Sequence, residues 1–275
     1  MKKNLIKLFA IASASSLALA ACATGDNAAS DVVKLNVGAT PMPHAEILRF
    51  IDDNLAADAG IDLEITEYTD YVQPNVELDA GGIDANYFQH IPYLEDQLEQ
   101  NPNFSFDHGE GIHNEPMGIY SEQYTSLDQV QDGDTVIIPN DPENGSRALQ
   151  LLAANGLLVA PAGTSTLAVA DFTGNANSNP KNLQITEEDA ATIPANYAHA
   201  ALGVINTNFA LEANIDATKY GLAFEGEDVA YPNVLVWNTD SDKLDAIKKL
   251  DELLHSQEVK DFINENYNGA VKPVF

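Results

Sequence analysis

From Val33 onward the chain alternates short β-branched runs with stretches at helical spacing, which restricts it to an α/β architecture of strands joined by helical crossovers. Val33-Lys34-Leu35-Asn36-Val37-Gly38-Ala39 reads as a strand ending in small residues, and residues 44–55 follow as a helix with Ile47, Leu48, Ile51 and Leu55 on one stripe. Residues 63–68 are a second expected strand, and Asp70-Tyr71-Val72-Gln73-Pro74-Asn75 opens a short helix. A second unit of the same kind starts at Asp134-Thr135-Val136-Ile137-Ile138-Pro139. The turn after it is expected to place Asn144 as the cap of a helix over residues 145–155. Residues 183–186 and 202–206 continue that unit as strands, and a helix begins near Asn208. Val234-Leu235-Val236-Trp237 is a late strand, followed by a helix that Ser241 is expected to cap, with Leu244, Ile247, Leu250 and Leu254 at helical spacing. The pattern predicts two α/β lobes around a cleft, residues 32–118 with 229–275 and residues 119–228. The chain is expected to cross between them near residues 117–121 and 227–233.

One stretch concentrates candidate chemistry. Gly81-Gly82-Ile83-Asp84-Ala85-Asn86-Tyr87-Phe88-Gln89-His90-Ile91-Pro92-Tyr93 brings Phe88, His90 and Tyr93 within six residues, just past a run over 83–87 that can be a buried strand. Groups beyond the carboxyl end of a strand in an α/β sheet line the ligand crevice. Spacing alone leaves open whether these side chains wall a pocket or are core aromatics beside a surface histidine. Residues 83–86 and 203–206 occupy equivalent places in the two lobes, each an apolar run ending at an asparagine.

Arg147 is one of only two arginines, the other being Arg49 on the first helix. In the first turn of a helix its guanidinium could grip a carboxylate with two parallel hydrogen bonds, or form a surface ion pair with one of many acids. The amides of Asn206 and Asn233 could pair with an ammonium and a carboxylate, or serve as turn residues.

The motifs for catalysis and metal binding are missing. His44, His90, His108, His113, His199 and His255 show no His-x-x-x-His or Cys/His spacing, so no metal ligand is nominated. There is no Gly-x-Ser-x-Gly elbow and no glycine-rich nucleotide loop. No catalytic residue and no cofactor follow from the chain. A net charge of -29 repels nucleic acid phosphates and anionic headgroups, which argues against either as a directly bound partner. A salty habitat would screen such repulsion over roughly 8 to 10 Å.

The amino terminus carries its own signal. Lys2, Lys3 and Lys7 form a basic region ahead of an apolar, small-residue run over 8–21, too short for a stable spanning helix. It ends in Leu19-Ala20-Ala21-Cys22, which resembles the bacterial lipobox and implies a signal peptide over residues 1–21, cleavage before Cys22 and acylation of that residue. Without the three leader lysines the chain has 13 - 3 = 10 basic against 42 acidic residues, a net charge of -32. Cys22 is the only cysteine, so no intrachain disulfide can form. Residues 22–31 then form a small, polar tether, and multiple acyl chains give a stable anchor where one does not.

Together the runs Val37-Gly38-Ala39-Thr40-Pro41-Met42-Pro43-His44, Asp70-Tyr71-Val72-Gln73-Pro74-Asn75, Asp84-Ala85-Asn86-Tyr87-Phe88-Gln89-His90-Ile91-Pro92-Tyr93, Pro116-Met117-Gly118-Ile119-Tyr120-Ser121 and Ile138-Pro139-Asn140-Asp141-Pro142-Glu143-Asn144-Gly145-Ser146-Arg147 resemble the NlpA-type methionine-binding lipoproteins, the substrate-binding components of methionine ABC importers. The resemblance covers residues 33–275. It implies a two-lobe, type II periplasmic-binding-protein-like fold that is not an enzyme, with L-methionine or a related amino acid held between the lobes. It also implies a lipid anchor in a cell membrane, facing the periplasm or the cell exterior, and a membrane permease and ATPase as partners. Tyr71, Phe88, His90 and Tyr93 would surround the ligand side chain, and Arg147 would bind its carboxylate. Asn206 and Asn233 would fix the α-amino and carboxylate ends, with Asn208 an alternative to Asn206. The physics agrees, since a thioether favours polarisable aromatic contacts and a desolvated zwitterion needs charge-assisted partners. The rival readings are a metal-receptor lipoprotein of similar architecture and a hydrolase acting on a methionyl ligand. Cys22→Ala is expected to move the protein from the membrane to the soluble fraction with ligand binding intact; membrane retention of that variant on fractionation would contradict the lipobox reading.

Overall fold

The first sheet grows from β1 (Val33–Ala39), whose Leu35, Val37 and Ala39 are fully buried and commit it to the middle of a layer. A computed structural model describes residues 32–226 and 231–275 of the chain. The expected signal peptide, Cys22 and the tether lie outside the described residues, as does part of the second expected crossing. β1 pairs in parallel with β2 (Ile61–Glu67) on one side and β3 (Ala85–His90) on the other. β11 (Asn233–Asn238) runs antiparallel to β3. Beyond it lie β4 (Phe106–His108), β5 (His113–Asn114) and β12 (Lys272–Pro273), making seven strands.

The second sheet repeats that plan. β7 (Thr135–Pro139) pairs in parallel with β8 (Gln184–Glu188) and β9 (Leu202–Ile205), then β6 (Gly118–Tyr120) runs antiparallel to β9, with β10 (Gly221–Phe224) at the edge. In both sheets, therefore, a central strand lies between two parallel neighbours, and the neighbour later in sequence borders an antiparallel strand. The chain leaves the first sheet after Asn114 and enters the second at Gly118. Residues 117–121, expected to be a crossing, are thus mostly strand. The return crossing runs from Phe224 to Asn233.

Helices cover the sheets where apolar spacing requires. α1 (Glu46–Ile51) buries Ile47, Leu48 and Ile51, and its helical course continues to Gly60, whose φ of 71° ends it; Leu55 is only half-buried. α6 (Leu244–Leu254) and α7 (Gln257–Asn266) set Ile247, Leu250, Leu254, Val259 and Ile263 into the same core as β1. In the second sheet Leu149 and Leu152 of α4 (Pro142–Ala154) pack with Val136, Ile138 and Leu202.

Three local expectations are corrected. The cap of α4 is Asp141, whose carboxylate accepts the Asn144 N–H at 2.8 Å, so Asn144 sits inside the first turn and is buried. A proline directly after Asp141 suits the first helical position, which moves the start forward. Ser241 does not cap α6: it accepts the Lys243 N–H at 3.3 Å, one turn ahead of the helix. The run expected over 83–87 is displaced, since β3 starts at Ala85 and contains Phe88, Gln89 and His90, all buried. Asn86 is therefore mid-strand, unlike Asn206, which follows β9.

The core assignment is testable at Leu250, which is fully buried between α6 and the first sheet. Leu250→Ala should cost about 2 to 5 kcal/mol through lost burial and a residual cavity. Lys248→Ala, on the exposed face of α6, should stay within about 0.5 kcal/mol of the parent. Denaturant titration of both variants distinguishes the positions.

Candidate functional site

The carboxyl ends of β3, β7 and β9 each lead into a helix, and residues at these junctions meet in one cleft. From β3 into α3 (Ile91–Gln100) come Phe88, Gln89, His90 and Tyr93; from α4 come Asn144 and Arg147; from the start of α5 (Thr207–Glu212) come Asn206, Thr207 and Asn208. The loop before α2 (Gln73–Asp79) adds Tyr71, the first crossing adds Glu115, and Asn233 comes from the start of β11. Their side chains nearly close on one another, leaving about 20 Å³ for the centre of a water-sized sphere. All seven residues expected from the sequence, Tyr71, Phe88, His90, Tyr93, Arg147, Asn206 and Asn233, line this cleft. Arg49 lies elsewhere, paired with Glu67 at the surface.

One wall is aromatic. The Tyr71 ring lies 5.9 Å from Phe88, 5.8 Å from Tyr93 and 4.8 Å from Phe209, centroid to centroid. Tyr93 Oη donates to the Tyr71 carbonyl at 3.0 Å, fixing the loop. Beneath it, the Asn75, Asn86 and Gln89 amides close a buried ring of hydrogen bonds of 2.8 to 3.0 Å, which pins α2 to β3. Tyr71 Oη also donates to Asn208 Oδ1 at 2.6 Å, joining groups from the two sheets.

The opposite wall is polar. His90 caps α3, its Nδ1 accepting the Tyr93 N–H at 3.1 Å, so the neutral ring carries its proton on Nε2, 3.3 Å from Asn144 Oδ1. Burial, helped by the Arg147 charge, pushes His90 down to about 3, so it is uncharged near neutrality. Asn144 Oδ1 also accepts from Asn206 Nδ2 at 2.8 Å. Among the described residues two buried atoms on this wall are left without partners: Asn206 Oδ1, an acceptor, and Asn208 Nδ2, a donor. Arg147 is heavily engaged. Its Nε and Nη2 donate to the Glu225 carboxylate at 2.7 and 2.5 Å, Nη2 reaches the Glu115 carbonyl at 2.8 Å, and the guanidinium carbon lies 4.2 Å from the Tyr231 ring centroid. Among the described residues Nη1 meets no partner and is what Arg147 has left for a ligand.

Behind the cleft, His44, His113 and Glu115 are all buried, with ligand-type atoms within 4.8 Å of one another. No metal-type spacing exists along the chain, so only the fold assembles this set. His113 Nε2 lies 2.8 Å from Glu115 Oε1, while His44 Nε2 lies 3.0 Å from Asn233 Oδ1 and 3.3 Å from Glu115 Oε1. Both nitrogens face acceptors and therefore carry protons, which leaves each Nδ1 to accept a hydroxyl: Thr40 on His44 at 2.7 Å and Tyr87 on His113 at 2.6 Å. Such rings present N–H groups where a metal would need lone pairs. Burial pushes His44 down to about 4 and His113 to about 3, and raises Glu115 above the ordinary glutamate range.

Glu115, Gln89, Asn144, Thr207 and Asn208 line the cleft in addition to the seven expected residues. Asn208, the alternative to Asn206, lines the cleft together with it. The available signal for Glu115 was His113-Asn114-Glu115-Pro116, a titratable pair ahead of a proline in an acid-rich chain.

The chain is similar to known proteins over most of its length. The chain is 35% identical over 261 residues to the methionine-binding lipoprotein MetQ of Bacillus subtilis, covering 93% of each chain. It is 38% identical over 217 residues to the D-methionine-binding lipoprotein MetQ of Escherichia coli K12, covering 78% of each. A nutrient-binding protein from Burkholderia cenocepacia, solved bound to methionine, superposes with a TM-score of 0.81 at 35% identity over 88% of this chain and 100% of that one. Among the described residues no helix is long and apolar enough to cross a membrane. Residues 35–275 match the family model described as NlpA lipoprotein, and the chain belongs to that family.

Proposed function

We propose that the protein captures methionine or a close analogue in this cleft and delivers it to the permease and ATPase of an ABC importer without turning it over. The observation that carries this reading is the unpartnered pair beside the aromatic wall, Asn206 Oδ1 and Asn208 Nδ2. A zwitterionic amino acid has a group for each, since its ammonium only donates and its carboxylate only accepts. Leaving either atom unpaired costs about 1 to 3 kcal/mol, which a bound ligand relieves.

In this reading Arg147 Nη1 and Asn208 Nδ2 hold the carboxylate, Asn206 Oδ1 takes an ammonium proton, and Asn233 contributes mainly Nδ2 because His44 already occupies its oxygen. Tyr71, Phe88, His90 and Tyr93 enclose the side chain, where a thioether gains about 0.3 to 1.5 kcal/mol from an aromatic contact. The named binding of methionine by relatives and by a solved neighbour supports the choice of ligand. Residues 32–118 with 229–275 and residues 119–228 act as the two closing lobes. Cys22 carries the lipid that anchors the chain to a cell membrane, with the lobes on the periplasmic or outer side.

Binding without turnover fits the way polar groups are committed. His90 is tied to the Tyr93 N–H, and Arg147 to Glu225, so neither is poised to move a proton to or from a ligand. Methionine and methionyl dipeptides should survive long incubation with the protein when followed by mass spectrometry; products appearing at catalytic rates would favour a hydrolase. Removing Arg147 deletes a buried charge partner, at about 3 to 5 kcal/mol, or roughly two to four decades of affinity. Phe88→Ala should cost about 1 to 3 kcal/mol of lost burial. His90→Ala should cost less. Calorimetric titration of methionine into the three variants checks that order. Arg147→Ala also strands Glu225, so the double variant with Glu225→Gln is titrated beside it and should keep the loss. Binding by both within a few-fold of the parent would move the carboxylate elsewhere.

A further inference from the structure

We propose, building on the capture reading above, that Glu115 is the counter-charge for the ligand's ammonium and that His44 and His113 are the positioning residues that hold it for that role. Glu115 lines the cleft from the first crossing and is only 7% exposed. Its Oε1 is fixed by the His113 Nε2–H at 2.8 Å, with His44 Nε2 at 3.3 Å, and the Asn208 backbone N–H also donates to the carboxylate. These are neutral donors. The hydroxyls of Thr40 and Tyr87 hold the two rings in the tautomer that points N–H at the acid. The cation of this cleft, Arg147, is bidentate on Glu225 and gives Glu115 only a bond to its backbone carbonyl. Among the described residues the Glu115 carboxylate therefore has dipoles around it but no cation in contact. A buried anion in that condition is costly until a cation arrives. The ammonium of an amino acid supplies one, so the site selects ligands with a free amine.

The test is calorimetric titration of L-methionine and of its des-amino analogue 4-(methylsulfanyl)butanoate into the parent, Glu115→Gln and His113→Leu, from about pH 7.5 to about pH 5. Among the described residues the titratable and charged groups facing Glu115 are His44, His113, Arg147, Tyr71, Tyr87 and Tyr267. Burial keeps the two imidazoles neutral and the three phenols protonated across that window, so among these groups Glu115 is the one whose charge can change. Because burial raises Glu115, its protonation starts above the ordinary value of 4.5, and methionine affinity should weaken as pH falls.

The parent should prefer methionine over the analogue by on the order of 100-fold. Glu115→Gln should lose most of that preference and its pH dependence, while its unliganded melting temperature holds or rises. His113→Leu should move the pH of weakening upward, since the acid loses a donor. Equal binding of both compounds by the parent would overturn the inference without any variant. So would Glu115→Gln binding methionine within about threefold of the parent, or a divalent metal found in stoichiometric amount at the three side chains. A parent that binds no methionine would overturn the capture reading itself, and this inference with it. Tight binding by parent and Glu115→Gln alike would overturn the inference alone.

Discussion

Arg147 ties the two chain crossings together, and the geometry of the cleft depends on that contact. Its guanidinium holds the Glu225 carboxylate on the return crossing and the Glu115 carbonyl on the first. Glu225 in turn accepts the Met117 N–H at 2.7 Å, and the Glu225 N–H reaches the Met117 carbonyl at 3.0 Å. A buried pair survives only when its geometry is good and its remaining lone pairs are satisfied, because desolvation otherwise exceeds the attraction. Here the bidentate contact and the backbone donor meet that condition. The two segments that pass between the sheets are thereby clamped beside the cleft.

The repeated sheet plan explains why so many polar side chains meet there. In each sheet the central parallel strands end on the same side, and three of their junctions with helices face one cleft. The first turn of a helix offers unpaired N–H groups and a partial positive charge, which suits carboxylates and amide oxygens. His90 and Asp141 satisfy two of these turns by capping them, and Asn206 stands at the start of the third without using its side chain as a cap. That is why Asn206 is left with an oxygen to offer. The surface follows a different logic. Its large negative charge bears on solubility and on the ionic setting, whereas inside the cleft charge is matched group by group.

Regular elements were legible because their cause is local. The burial stripe of Ile247, Leu250 and Leu254 and the alternation of Leu35, Val37 and Ala39 each depend on neighbours within a few residues, and they lie where their spacing predicts. Boundaries were less legible. Asn144 and Asp141 are both good caps, and Pro142 decided between them by taking the first helical position. β3 runs on to His90 because β11 pairs with it along that length, which no residue of β3 announces.

The sequence by itself determined the α/β alternation, the two units and, through the resemblance of several runs to one family, seven of the cleft residues. Tertiary structure alone decided how those residues are used. His44 meets Asn233 from 189 positions away, and Arg147 meets Glu225 from 78. Neither pairing leaves a period or spacing in the chain, because each partner needs only to be polar and correctly placed. Glu115 was one acid among 42 until the fold buried it between two neutral imidazoles and committed the nearby arginine to another carboxylate. Charge acquires a role when it is removed from water, and which charges are removed is settled by long-range packing that local sequence does not encode.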